Sequence, residues 1–400
     1  MTAQAADRLP PPALEPGDVA EKMDGVLRRV TGDAGRQDAY LPSPCVQNHA
    51  ANLARLANGD LACVWFGGTM EGMGDISIYM SRFSDGVWSS AVRLSDDSTR
   101  SEQNPILFTA PDGRLWLIYT SQPSGNQDQA VIKARISTDD GRSFGPVFVL
   151  FDRRGTFVRQ PPLITAVGDW LLPAFLCPSP PSGRWRGDND SSAVLRSTDQ
   201  GRSWMLHDVP ESTGAVHMNI LAAANGLIAL YRSRFADNIL ISRSADGLSW
   251  TPPEPTPLPN NNASIQAARL ADGRLAIVFN ASSAATSSER RASLYDEIDG
   301  EKEDGEGAGV ARPALWGVPR APLVVALSSD DGRSFPVQRT LETGSGYCLS
   351  NNSVEGLNRE FSYPSVLPAP DGSIDIAFTY YRRAIKHVRI TADWIARADA

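Results

Sequence analysis

Apolar and polar positions along this chain do not follow the 3.6-residue period of an amphipathic helix. They fall into short apolar runs joined in pairs across turn residues, as in "NLARLANGDLACVWF", "ILFTAPDGRLWLIYT", "LITAVGDWLLPAFLC", "ILAAANGLIALYRS", "IQAARLADGRLAIVFN" and "SVLPAPDGSIDIAFTYY". Each pair reads as a β-hairpin, because Asn-Gly, Asp-Gly and Gly-Asp tolerate the positive φ that tight turns demand. A second pattern is interleaved with these six hairpins: "STDDGRSF" at 137–144, "STDQGRSW" at 197–204, "SSDDGRSF" at 328–335 and the shortened "SADGLSW" at 244–250, with a worn "FSDGVW" ending at Trp88. Its Asp side chain can accept from neighbouring backbone N–H groups, its Gly supplies the unusual φ, and its aromatic residue packs between sheets. It predicts a stapled turn.

A hairpin, a third strand, such a turn and a fourth strand make one four-stranded blade, so the repeat predicts an all-β, six-bladed β-propeller, with a seventh, irregular blade as the alternative. Residues 1–40 form an extension whose segment "GVLRRVTG" is expected to help close the ring, and 41–395 form a single propeller domain. A loop insertion at about 283–320 carries the acidic, Gly-rich "LYDEIDGEKEDGEGAG" and is expected to be mobile. Four hundred residues at 42% hydrophobic and 21% charged suit one large all-β domain. The net charge of −8 excludes a broad basic surface for nucleic acid or anionic membrane. The chain shows no ~18-residue apolar window and no signal-like start, so a cytoplasmic address is expected, without membrane partners. Cys45, Cys63, Cys177 and Cys348 have no paired metal spacing and read as reduced, structural thiols; no cofactor and no catalytic metal are expected.

Propeller topology says where chemistry belongs. The entrances of the first strands and the loops after the second strands share one face, and the stapled turns fall on the other. Counting back from each hairpin glycine, His49 and Gln103 lie ten residues before Gly59 and Gly113, and Arg159, His217 and Tyr363 lie nine before Gly168, Gly226 and Gly372. The fifth blade, with Ala263 and Ser264, offers little there. Five equivalent entrances thus place large polar groups near the axis. The loop "YRSRFADN" adds Arg232 and Arg234 to the same face. An acidic protein that collects arginines at one mouth is expected to bind a carboxylate, since guanidinium forks fit it bidentately. His387 in "AIKHVRI" alternates with apolar neighbours and reads as structural, and His207 reads as surface.

The Asp-box motifs, together with "FSYPSVLPAPDGSIDIAFTYYRRAIKHVRI", resemble the BNR-repeat, sialidase-like propellers from about 45 to 390. That resemblance implies fold more strongly than reaction, because such propellers hydrolyse, eliminate or only bind sugars. It aligns Tyr363 of "NREFSYPS" with the sialidase tyrosine nucleophile, with Arg359 and Glu360 beside it. It also places His49 of "NHAAN" where sialidases carry an arginine of the carboxylate clamp, and no match to their aspartate acid/base loop is found. Histidine and tyrosine facing arginines suit elimination across a uronic acid: neutralised carboxylate, a base for the C5 proton, an acid for the C4 oxygen. Through "NHAANL", "RQPP", "HMNI", "ADNI" and "NREFSYPS" the chain is similar to sialidase-like propellers that remove terminal L-rhamnose from α-1,4-linked glucuronate, as lyases or as hydrolases.

The expected roles are His49 or His217 as proton acceptor or donor, Tyr363 as counterpart, and Arg159, Arg232 and Arg234 as the clamp, with Gln103, Arg359 and Glu360 also toward an acidic oligosaccharide. An exo-sialidase, a rhamnosidase and a non-catalytic glycan-binding propeller are the alternatives.

Overall fold

The computed structural model describes residues 22–181, 183–291, 294, 312–344, 348 and 359–397. Six antiparallel sheets stand as blades around one axis, each made in chain order from the innermost strand outward. The innermost strands are Gln47–Arg55, Arg100–Thr109, Thr156–Val158 with Leu163–Ile164, Ala215–Ala223, Gln266–Arg269 and Phe361–Pro368. In blades one to five the fourth strand follows in sequence. Blade six runs Phe361–Pro368, Ser373–Tyr380 and Ala384–Thr391, and its fourth strand comes from the other end of the chain.

That fourth strand is Asp33–Tyr40, paired antiparallel to Ala384–Thr391 with Asp38 opposite Val388. Within the expected "GVLRRVTG" segment, Arg28–Val30 is the strand added outside it, paired to Asp33–Tyr40. A buried ion network pins the closing strand. Lys386 Nζ lies 2.9 Å from Asp38 and 2.6 Å from Glu342, and Arg36 lies 2.8 Å from Asp38. Much of the insertion at 283–320 lies outside the described residues.

The propeller has no single core. Each junction between adjacent blades has its own apolar cluster: Val64, Met80, Leu107 and Leu117 between blades one and two; Trp116, Ile118, Trp170 and Leu195 between two and three; Phe378, Val388 and Leu323 between six and five. Strands buried on both faces need apolar residues on both, which is why these runs do not alternate cleanly. The stapled turns form as the motif predicts. Asp199 takes the backbone N–H of Ser203 at 2.9 Å and its hydroxyl at 2.6 Å, and Ser197 Oγ takes the N–H of Gly201 at 2.8 Å. Gly201 has φ +84° and a Cβ there would meet Trp170 at 2.9 Å and Trp116 at 3.0 Å. The turn of blade three therefore sits on the side of blade two, on the face away from the strand entrances.

Side chains also join the blades at the axis. Asn52 Oδ1 accepts from the N–H of Leu107, Asn219 Oδ1 from Ala267, Gln266 Oε1 from Val366, Ser365 Oγ from Leu53 and Thr120 Oγ1 from Val158. Each acceptor satisfies an N–H on the open edge of the next blade's innermost strand. Replacing Asn219 or Asn52 by Ala leaves a buried N–H unpaired and is expected to lower unfolding free energy by about 1–3 kcal/mol each. Urea denaturation of the two variants, read against the parent protein, checks this.

Candidate functional site

Four innermost strands are interrupted at the same level. Register shifts separate His49 from Asn52, Gln103 from Ile106, Val216 from Asn219 and Ser362 from Ser365, so two residues oppose one on the partner strand. The first residue of each bulge takes left-handed backbone: Ala50 (φ 61°), Asn104 (50°), His217 (55°) and Tyr363 (51°). Such conformations are costly for residues other than glycine and mark places where a side chain has been re-aimed. The equivalent residues thus lie nine before the hairpin glycine in all four strands. His49 and Gln103, ten before it, are one step out of register with His217 and Tyr363.

Tyr363 is the centre of what converges. Its hydroxyl accepts from Arg232 Nη1 at 2.6 Å, and its ring lies 4.2 Å from that of His49 and 5.5 Å from that of His217. The guanidinium carbons of Arg159, Arg232 and Arg320 stand 5.5, 5.7 and 5.4 Å from its centroid. Arg159 crosses beneath it, donating from Nη2 to the carbonyls of Ala51, Tyr363 and Pro364 at 3.0–3.1 Å. It thereby holds the bulge of blade six against that of blade one. Arg232 is fixed from behind by Asn262 Oδ1 at 2.7 Å, so blade five does contribute, through Asn262 in left-handed backbone (φ 58°).

The charge balance is uneven. Glu360 is wholly buried and accepts from Arg320 at 2.7 Å, Ser362 at 2.5 Å and Arg382 at 3.1 Å. Burial alone would raise its pKa, but Arg320 and Arg382 overturn that and hold it well below the usual carboxylate range. Arg382 also meets Glu71 at 2.5 Å. Arg234 is held by Asp190 at 2.6 Å and lies among Trp185, Trp316 and Phe175. By contrast Arg159 Nε and Nη1 and Arg232 Nη2 are buried without a hydrogen-bond partner. Burial lowers the Arg159 pKa to about 10 and the Arg232 pKa to about 9. Both remain cations at neutral pH, and neither has an ion-paired carboxylate among the described residues. A buried cation without a paired anion is costly, and these unused donors are what the cluster could offer an anion.

His49 and His217 are neutral here. Burial, reinforced by Arg382, Arg320 and Arg159 around His49 and opposed by Glu360, sets its pKa well below the ordinary value. Burial with Arg232, Arg234, Arg159 and Arg320 does the same for His217. The other proposed residues lie apart from this group. Gln103 donates to Ser101 in its own strand at 2.9 Å. Arg359 reaches the carbonyls of Thr343 and Gly344 at 3.4 Å. His387, which the sequence marks as structural and not as a site residue, bridges Asp375 and Trp88 between blades six and one. Among the described residues no group of His, Cys, Asp and Glu side chains forms a metal-ligand set.

Arg320, Arg382, Glu71, Trp316, Asn262 and Thr379 were not singled out by the sequence reading. Arg382 sits in the tight turn after the second strand of blade six, "YYRRA", where the topological rule already pointed. Asn262 and Arg320 gave no motif-level signal.

The two depressed histidines carry a sign. The unfolded chain binds protons on them near pH 6.5 and the folded chain does not, so stability is expected to fall as pH drops from about 6.5 toward 4.5, before carboxylates titrate. Melting temperature measured across that window should decline, and the decline should shrink in His217→Asn.

The chain matches the BNR repeat-like domain family over residues 59–376. No curated protein matches it by sequence. Among solved structures it is similar to a Hadza microbial sialidase (TM-score 0.66, 12% identity, 92% of this chain and 70% of that one) and to a protein of unknown function from Dyadobacter fermentans (0.64, 14%, 90% and 99%). It is also similar to an intramolecular trans-sialidase from Ruminococcus gnavus (0.61, 11%, 88% and 96%). At these identities the structural likeness speaks for the six-bladed fold alone, whereas the family match runs from the first hairpin turn to the last, and the chain belongs to the BNR repeat-like domain family.

Proposed function

We propose that this protein is a carbohydrate-active enzyme that works from the end of a uronate-containing glycan, removing terminal L-rhamnose from α-1,4-linked glucuronate by β-elimination. The observation that carries the reading is the pair of buried, unpaired arginines, Arg159 and Arg232, around Tyr363 and beside two neutral histidines. A sugar carboxylate placed against Arg232 Nη2 would be neutralised there. That neutralisation acidifies the adjacent C5 proton and stabilises the charge that develops as it leaves. Tyr363 and the histidines supply the groups for proton transfer and for holding the leaving C4 oxygen. Terminal rhamnose comes from the motif likeness around "NHAANL" and "NREFSYPS", and the elimination from the chemistry of the side chains.

A retaining exo-sialidase is the competing reading, favoured by the sialidases among the structural neighbours. It needs a carboxylate beside the tyrosine nucleophile and a third arginine at the position of His49. Glu360 instead answers to Arg320, Arg382 and Ser362, and His49 fills the arginine's place. A hydrolytic rhamnosidase would use the same pocket without forming a double bond. A binding-only propeller would have no use for two neutral histidines at a tyrosine.

Incubation with a rhamnosyl-α-1,4-glucuronate oligosaccharide, and separately with a sialoside, distinguishes these. Released rhamnose with rising ultraviolet absorbance of an unsaturated uronate is the expected result, reduced by about 10²-fold or more in Tyr363→Phe. Rhamnose without absorbance would make the protein a hydrolase, released sialic acid would make it a sialidase, and saturable binding without turnover would leave a lectin.

A further inference from the structure

What a neutral imidazole can do depends on which ring nitrogen keeps its proton, and the partner of the other nitrogen decides that. Thr379 decides it for His49. Its Oγ1 accepts the backbone N–H of Ala50 at 3.2 Å and lies 2.8 Å from His49 Nδ1. A hydroxyl has one proton to donate. That oxygen could accept from both, but its hydrogen-bond contacts among the described residues are Ala50 N–H and His49 Nδ1, so its own proton finds an acceptor when Nδ1 holds the lone pair and Nε2 carries the N–H. Glu360 does not reverse this, since it stands 3.7 Å from Nδ1, beyond hydrogen-bond length, and its oxygens already serve Arg320, Ser362 and Arg382.

Arg232 decides it for His217. One proton of its Nη1 goes to the Tyr363 oxygen at 2.6 Å, and the same nitrogen faces His217 Nε2 at 3.4 Å. A guanidinium cannot accept, so Nε2 holds the lone pair and Nδ1 the N–H. The two nitrogens left over, His49 Nε2 and His217 Nδ1, are both buried and both without a partner. Each is therefore an unused donor on a ring packed within 5.5 Å of the ring of Tyr363.

We propose that His49 and His217 act as hydrogen-bond donors to the bound sugar, their tautomers set by Thr379 and Arg232, and that neither removes a proton from it. The proposal rests on the uronate reading for its ligand: two N–H groups flanking the phenol suit the oxygens of a carboxylated sugar. It leaves the Tyr363 oxygen as the atom that meets the proton. Thr379 is a positioning residue, acting through His49.

With four histidines in the chain, ¹⁵N spectra of histidine-labelled protein can be assigned by single substitution. The expected pattern is a proton on Nε2 of His49 and on Nδ1 of His217, with Thr379→Val releasing the His49 preference. The opposite tautomers in the parent protein would overturn the proposal, whatever the substrate. Activity gives the second arm. His49→Gln restores an N–H close to the place of Nε2, and His217→Asn one close to Nδ1, and neither amide can take up a proton. Both are expected to stay within about tenfold of the parent on the rhamnosyl-glucuronate oligosaccharide, while His49→Ala and His217→Ala fall by about 10²-fold or more. A His49→Gln protein that melts like the parent yet is as inactive as His49→Ala would make His49 a proton-transfer group and sink the idea. If the parent leaves that oligosaccharide untouched, the uronate reading fails, and the tautomers alone decide the present proposal.

Discussion

A propeller's innermost strands have one edge that no strand pairs, and the backbone N–H groups along it are buried by the neighbouring blade. Buried donors of that kind must find acceptors. Here they find them in side chains of the preceding blade: Asn52, Thr120, Asn219, Gln266 and Ser365 each reach across one junction. Blade spacing, strand height and the level of the bulges are tied to these contacts. Where the axis must remain polar to satisfy the backbone, it is also able to hold polar chemistry.

The site follows from that arrangement. Immediately before the acceptor position the strand bulges, so that His217 and Tyr363 sit one residue pair before Asn219 and Ser365. The left-handed backbone there is paid for by the contacts around it, most directly by Arg159, which ties the carbonyls of Ala51, Tyr363 and Pro364 together. Glu360 and Asp190 answer three of the arginines, and Arg159 and Arg232 keep donors in hand. The excess of cation over anion, in a protein of net charge −8, is local and directional.

The fold was legible because its signals are local: a turn residue at each hairpin and an Asp-box at the far end of the third strand. The site was legible only in part. Counting from hairpin glycines located Tyr363 and His217 but treated His49 and Gln103 as their equals, because a bulge changes register without changing composition. Arg232 and Arg234 are two residues apart and look alike in sequence, yet Arg232 lies in the strand Gly226–Ser233 and Arg234 just past it, and Asp190 pairs with only the second. Arg320 reaches Glu360 from 40 residues away, and no spacing rule connects them. Long-range pairing is the part of the chemistry that a linear pattern does not carry.

The closing strand has a consequence for how the protein is made. Asp33–Tyr40 is translated long before its partner, Ala384–Thr391. Until then its edge has no mate, and blade six, which carries Tyr363, Glu360 and Thr379, is incomplete. Five blades can assemble during synthesis, whereas blade six, with Tyr363 on its innermost strand, is complete only when the two distant segments meet. Such pairing across most of the chain is slow in folding. Interruption at that stage would leave a long, largely folded chain with neither its ring nor its site.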